Sequence, residues 1–146
     1  MRLQKAFGKD IKAIAEIYKT EYSKFPWNEK WTSPLALKKI KDYATFCDIW
    51  KLNSGKDLVG FAIVNVKGSI GLPDEVAFLE EIAVKSSCQR RGIGTFILKE
   101  ILKIYKKRGF KTIMGIASRK GKLLDFYKGL NIKPSKYNVL IEGRLK

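Results

Sequence analysis

The segment most suited to chemistry is Gln89-Arg90-Arg91-Gly92-Ile93-Gly94, where two arginines and a glutamine abut two closely spaced glycines. The glycines let backbone pass close to a ligand, and the arginines favour an anionic one. The spacing is neither G-x-x-x-x-G-K-[ST] nor G-x-G-x-x-G, so it matches neither nucleotide loop. A glycine-containing turn with solvated arginines satisfies the same pattern. The chain has no histidine. That excludes Ser-His-Asp and Cys-His catalysis and the common histidine-containing zinc sites. Acid–base chemistry must then fall to Glu, Asp, Tyr, Lys, Cys or backbone groups.

Glu80 and Glu81 are candidate bases, and four of the 14 acidic residues lie within 74–81, which suits a cationic amine. Neighbouring strand residues point to opposite faces, so one of the two is expected to face the reaction centre. A solvated or salt-bridged pair is the plainer alternative. Tyr127 is a phenol flanked by Leu123, Leu124 and Phe126, a setting that also fits an ordinary core aromatic. Phe25, Trp27 and Trp31 in "FPWNEKWT" could line a substrate pocket, with Glu29 meeting a cation. The same aromatics could instead cover the core. Cys88 lies in the anion loop and is read as a tolerated small residue rather than a nucleophile.

The elements that must position these residues follow from apolar periodicity. Residues 1–6 suggest a short strand. Ile11, Ile14, Ile17 and Tyr18 share one face of a helix over 10–22, with Asp10 as its N-cap. Ser33-Pro34 marks the start of a second helix running to about residue 43. Strands are expected at 47–52, 58–66 and 76–84, the middle one buried on both faces. A turn is expected at "NSGKD" and a longer one at "KGSIGLPDE". A helix over 91–108 carries Ile93, Ile97, Ile101 and Ile104 on one face and Lys99, Lys103 and Lys106 on another. A strand at 111–117, a helix at 121–130 ending near Gly129, and a final strand in "KYNVLIEGRL" complete the chain. Strand 76–84, helix 91–108 and strand 111–117 form one βαβ unit, so those strands should be parallel. The loop then sits at a helix N-terminus, where unpaired N–H groups and the helix dipole attract an anion.

In this context "EEIAVKSSCQRRGIGTFILKEI" resembles the cofactor signature of the GCN5-related N-acetyltransferases (GNAT), Q/R-x-x-G-x-G/A after a strand. "LVGFAIV" is similar to the family's third strand, and "LLDFYKGLNI" to its F-Y-x-x-x-G-F helix end. Two positions depart: Lys120 stands where the family often has Asn, and Leu130-Asn131 where it has Gly-Phe. The resemblance implies an α/β (α+β) GNAT-like fold. Its sheet would be mixed and mostly antiparallel, with six to seven strands and about four helices, and the parallel pair 76–84 and 111–117 splayed apart. It implies acetyl-CoA as cofactor and direct acetyl transfer to a primary amine, on a protein N-terminus, a lysine or a small molecule. Tyr127 would be the general acid on the leaving sulfur and the Ile82 N–H the oxyanion donor. The backbone at Ile82, Ala83 and Val84 would hold the pantetheine arm like an added strand. Gln89, Arg90, Arg91, Gly92, Ile93, Gly94 and Thr95 would hold the pyrophosphate. Family glutamate bases often stand at the position of Phe78, which shares a face with Glu80, so Glu80 is preferred over Glu81. The aromatic loop, with Trp27, Glu29 and Trp31 as substrate contacts, is similar to that of aminoglycoside-acetyltransferase-like members. Family members are often dimers, which leaves a homodimer open.

The composition bounds these readings. The chain has 146 residues, the usual size of one domain, and is 45% apolar, enough for one core. We expect a single N-acetyltransferase domain over 1–146. Lys and Arg number 30 against 14 Asp and Glu, a net charge of +16 that attracts anions. A basic nucleic-acid-binding module is one alternative, although the lysines spread along the whole chain and no helix-turn-helix, zinc-finger or RNP-like pattern is present. A CoA-binding protein without catalysis is another, against which Tyr127 and Glu80 stand. The positive surface favours a protein or monoamine acceptor over a polycation unless the pocket is locally acidic. Cys47 and Cys88 have no metal-binding spacing, so no metal is expected. No apolar run is long enough to span a membrane and no signal-peptide core opens the chain, so a soluble cytoplasmic protein without a membrane partner is expected.

Overall fold

The computed structural model describes residues 1–68 and 74–145. Most of the turn expected in "KGSIGLPDE" lies outside the described residues. The elements run β1 (Leu3–Lys5), α1 (Ile11–Tyr22), α2 (Ser33–Phe46), β2 (Asp48–Ser54), β3 (Asp57–Asn65), β4 (Val76–Val84), α3 (Ile93–Lys107), β5 (Thr112–Gly115) and α4 (Leu123–Lys128). Strand order in the sheet is β1-β2-β3-β4-β5, antiparallel except for the parallel β4–β5 pair. Among the described residues no helix is long and apolar enough to cross a membrane.

β3 is buried from Val59 to Asn65 because both sheet faces are covered. Val59, Ala62 and Val64 point to a core built with Ile97, Leu98 and Ile101 of α3. Phe61 and Ile63 point to a second core with Ile14, Tyr18 and Ile40 of α1 and α2. Phe61 to Val64 alternate between the two cores, as the continuous apolar run requires, and Val59 falls out of that phase where the β2–β3 register shifts between Leu52 and Asn53. Gly60 lies where β3 is crowded: a Cβ there would stand 2.9 Å from both the Ala83 carbonyl and Ile97 Cδ1. The far edge is tied by Asp48, which accepts from the Tyr105 hydroxyl at 2.7 Å and Arg108 at 2.5 Å and pairs with Lys5.

Several expectations are corrected. Among the described residues five strands form, not six or seven, and residues 136–145 are irregular. Val139, Leu140 and Ile141 are 83%, 73% and 87% exposed, so no apolar burial offsets the entropy of ordering a strand there. β5 is four residues long, shorter than 111–117. Asp10 does hold the N-cap position of α1, but its side chain makes no cap there; the carboxylate accepts the Phe7 N–H at 2.9 Å, closing the single 3-10 turn before the helix. α2 begins one residue earlier than a Ser33 cap implies: Thr32 is its N-cap, and the helix extends to Phe46. Gly129 ends α4 in a right-handed conformation, and the left-handed residue is Asn131.

Candidate active site

β4 and β5 pair only from Val76–Thr112 to Leu79–Gly115. Beyond that point residues 81–84 keep β3 on one side and lose β5 on the other. The separation opens a cleft of about 680 Å³ between β4, Ile116 and Ala117, the start of α3, and α4. The gap that the resemblance implies is therefore present, and short β5 is what leaves it.

One end of the cleft is the loop before α3. A 3-10 turn at Ser86–Cys88 leads into Arg90 at φ +62° and Gly92 at φ +76°. Gly92 is the N-cap of α3 and offers no side-chain cap. The first helical hydrogen bond runs from the Phe96 N–H to the Gly92 carbonyl at 2.9 Å. The N–H groups of Ile93, Gly94 and Thr95 precede it and have no acceptor within the helix. A Cβ on Gly94 would lie in ordinary van der Waals contact with Phe126 and Val84, at 3.6 and 3.8 Å, so the position takes a methyl but has the Phe126 ring against it. Arg90, Gly92, Ile93, Gly94 and Thr95 all line the cleft, while Arg91 is exposed and is not among its wall residues. Gln89 lines it too, yet its amide donates to the Val84 carbonyl at 2.8 Å and to Glu21 at 3.1 Å.

The other end carries Glu29, Glu80 and Glu81 beside Tyr22, Trp27 and Tyr43. Both glutamates of β4 reach the cleft, against the expectation that only one would. The cause is a bulge: Ile63 faces Glu81 and Val64 faces Leu79, so Glu80 is an extra residue that breaks the alternation. Glu80 accepts from Asn65 at 3.1 Å. Glu81 accepts from the Tyr43 hydroxyl at 2.8 Å and from Tyr18 at 3.5 Å. Burial pushes the Glu81 carboxyl up, the nearby Tyr22 and Tyr43 hydroxyls and the Lys39 ammonium pull it back, and the charge of Glu29 adds to the rise. The net shift is upward, which makes Glu81 a stronger base than an exposed carboxylate.

The Tyr22 hydroxyl approaches the Ile82 carbonyl at 3.5 Å, on the stretch of β4 that has left β5. Ile82, Ala83 and Val84 form the cleft floor. Tyr127 projects from α4 into the cleft and packs edge-on against Phe126, with ring centroids 5.1 Å apart. Burial, with Glu81's charge adding, pushes its phenol up to about 12. Trp27 and Glu29 line the cleft, whereas Trp31 stands behind them, donating its indole N–H to Glu29 at 2.6 Å and packing against Tyr18. Cys88 packs against the α3-side core and is not a wall residue.

Sequence reasoning missed Tyr18, Tyr22 and Tyr43. They lie on the buried faces of α1 and α2, where only the hydroxyls, invisible to apolar periodicity, signal a polar destination. It also missed Glu21, which hydrogen-bonds to Ser86 across 65 positions.

The chain matches the model of the acetyltransferase (GNAT) family over residues 11–131. No curated protein sequence matches it. Among solved structures, a possible acetyltransferase from Clostridium difficile 630 superposes with a TM-score of 0.84 at 13% identity, covering 99% of this chain and 98% of that one. The aminoglycoside 6'-N-acetyltransferase AAC(6')-IG from Acinetobacter haemolyticus superposes with a TM-score of 0.74 at 15% identity, covering all of both chains. The aminoglycoside N-acetyltransferase AAC(6')-Iy in complex with CoA gives 0.74 at 15% identity, covering 99% of this chain and 95% of that one.

Proposed function

The chain belongs to the GNAT family of acetyltransferases, and from that premise we propose that it transfers the acetyl group of acetyl-CoA to a primary amine held beside Glu81. The observation that carries this reading is the parting of β4 from β5 after Leu79–Gly115, with a glycine-capped helix N-terminus at one end and carboxylates at the other. The donor set fits the cofactor. The free N–H groups at Ile93, Gly94 and Thr95, with Arg90, suit a pyrophosphate. The backbone of Ile82, Ala83 and Val84 suits an extended amide-bearing arm, which can add to it as a strand would.

Acetyl-CoA, when bound, supplies an acyl group already activated as a thioester. The protein's own residues do the rest. An attacking amine must be neutral, and Glu81, with Glu80 beside it, would take its proton. The Ile82 N–H would donate to the oxygen on which charge grows. Tyr127 would hold a proton ready for the departing sulfur. A phenol raised to about 12 stays protonated throughout the neutral range, as that role needs.

The acceptor is an amine that tolerates carboxylates. Net positive charge disfavours a polycation at the outer surface, but Glu29, Glu80 and Glu81 make the acceptor end of the cleft locally acidic. A polyamine or an aminoglycoside-like amine is therefore as well suited as a protein amine. Calorimetric titration with acetyl-CoA tests the reading. One-to-one saturable binding is expected, and Gly94→Glu, which puts a bulky negative side chain on the cleft wall in the first turn of α3, should abolish it. A folded wild-type protein that binds no acetyl-CoA would overturn the proposal.

A further inference from the structure

Glu21 lies in the last turn of α1, outside every motif in the sequence. Its carboxylate accepts the Ser86 N–H at 2.9 Å and the Ser86 hydroxyl at 2.8 and 3.0 Å. It also accepts the Gln89 amide at 3.1 Å, and that same amide donates to the Val84 carbonyl at 2.8 Å. Lys24, one turn further along, pairs with Glu21 at 3.5 Å and reaches the Ser86 hydroxyl. The Glu21 side chain keeps only 11% exposure. One carboxylate thus gathers the end of β4, the 3-10 turn and the first residue of the glycine loop onto α1.

The position is electrostatically adverse. Glu21 lines the same cleft as Arg90, Gly92 and Gly94. A negative charge there opposes any anion bound at the α3 N-terminus, and Lys24 offsets it only in part. Whatever Glu21 contributes to anion binding must come through geometry. It holds three donors from Ser86 and Gln89 at once, which fixes the segment immediately before the two left-handed residues Arg90 and Gly92. A loop ordered in advance need not be ordered by the ligand, and binds it more tightly for that reason.

We infer that Glu21 is a positioning residue for the acyl donor: it clamps residues 84–89 so that the loop and the α3 N-terminus meet the pyrophosphate ready formed, although its own charge opposes that anion. The inference rests on the reading of this loop as the acetyl-CoA site.

Charge and clamp predict opposite signs, which makes the test sharp. Glu21→Gln removes the charge and keeps the size. Its amide nitrogen cannot accept, so at least one of the Ser86 and Gln89 donors loses its acceptor. As a clamp, its loss should raise the KM and Kd for acetyl-CoA about tenfold or more, at both low and high salt, with kcat at saturating acetyl-CoA kept within about twofold. Ser86→Ala removes one contact without touching the charge and should weaken binding in the same direction, by less. The double variant of Glu21→Gln with Gln89→Ala should be little worse than the poorer single one, because both break one network. Binding unchanged or tightened at low salt in folded Glu21→Gln, while the wild type binds normally, would overturn the clamp and leave the acetyltransferase reading intact. A folded wild type that binds no acetyl-CoA would overturn both.

Discussion

Tyr127 and Glu81 are tuned in complementary ways. Burial raises both, which keeps the phenol protonated and makes the carboxylate more basic. If Tyr127 delivers a proton to the leaving sulfur, Tyr127→Phe should lower kcat by about 10²–10⁴ while acetyl-CoA binding stays within a few-fold. Steady-state kinetics beside calorimetry would show this, and unchanged turnover at every pH would remove the assignment. Glu81 offers a second test. If ionised Glu81 takes the amine proton, turnover should fall on the acid side with a midpoint above its usual 4.5. The Tyr43 hydroxyl, 2.8 Å away, stabilises the ionised form and holds that midpoint down. Tyr43→Phe should therefore move the acid limb to higher pH with the same amine, and a limb that stays put would mean Glu81 is not the group being titrated. The sequence exposed the glutamate pair through its local acidity in a basic chain. It could not show that both face the cleft, because that depends on a bulge set by the pairing of Ile63 and Val64.

Elements defined by strong periodicity were legible. β3, β4, α1 and α3 appear where apolar spacing puts them, and the βαβ unit through α3 fixes the parallel pair. The final strand failed because its alternation has no covering partner, as the exposure of Val139, Leu140 and Ile141 shows. The cleft was legible only by family likeness, since no residue pattern encodes where β5 stops. The crowding at Gly60 makes an element-scale prediction. A Cβ at Gly60 would strike the Ala83 carbonyl of β4 and Ile97 of α3, both at 2.9 Å. Backbone on one side and packed core on the other leave little room to yield. Gly60→Ala should cost about 1–3 kcal/mol, and because it pushes on the stretch of β4 that forms the cleft floor, it should also weaken acetyl-CoA binding. Gly92→Ala is the contrast: nothing lies within 4 Å of its Cβ, and the strain there comes from φ +76° alone. That strain should cost about 1–2 kcal/mol. Thermal melts of both variants would compare a steric penalty with a conformational one. An undiminished melting temperature for Gly60→Ala would mean β3 and β4 can part without cost.

At the scale of the whole molecule the charge of +16 asks for a partner, and the cleft divides that question. The acceptor end is acidic, while the loop end carries Arg90 and Lys24 against the single carboxylate of Glu21. A strongly positive protein should draw in a polyanionic donor from a distance and leave the acceptor to be recognised locally. Net charge was readable from composition, but its sorting within one cleft was not, because Glu29 and Glu81 come from segments that only the fold brings together. The consequence is kinetic. Association with acetyl-CoA, followed by stopped-flow fluorescence of the Trp27 region, should slow about tenfold between roughly 20 mM and 500 mM salt as the Debye length shrinks. The dissociation rate should change far less, since short-range contacts at the loop are poorly screened. An amine acceptor should show the reverse trend in its own KM wherever the outer field repels it, with KM falling as salt is added. A salt-independent association rate would mean that the lysines distributed over the surface do not steer the donor, and that the loop captures it by contact alone.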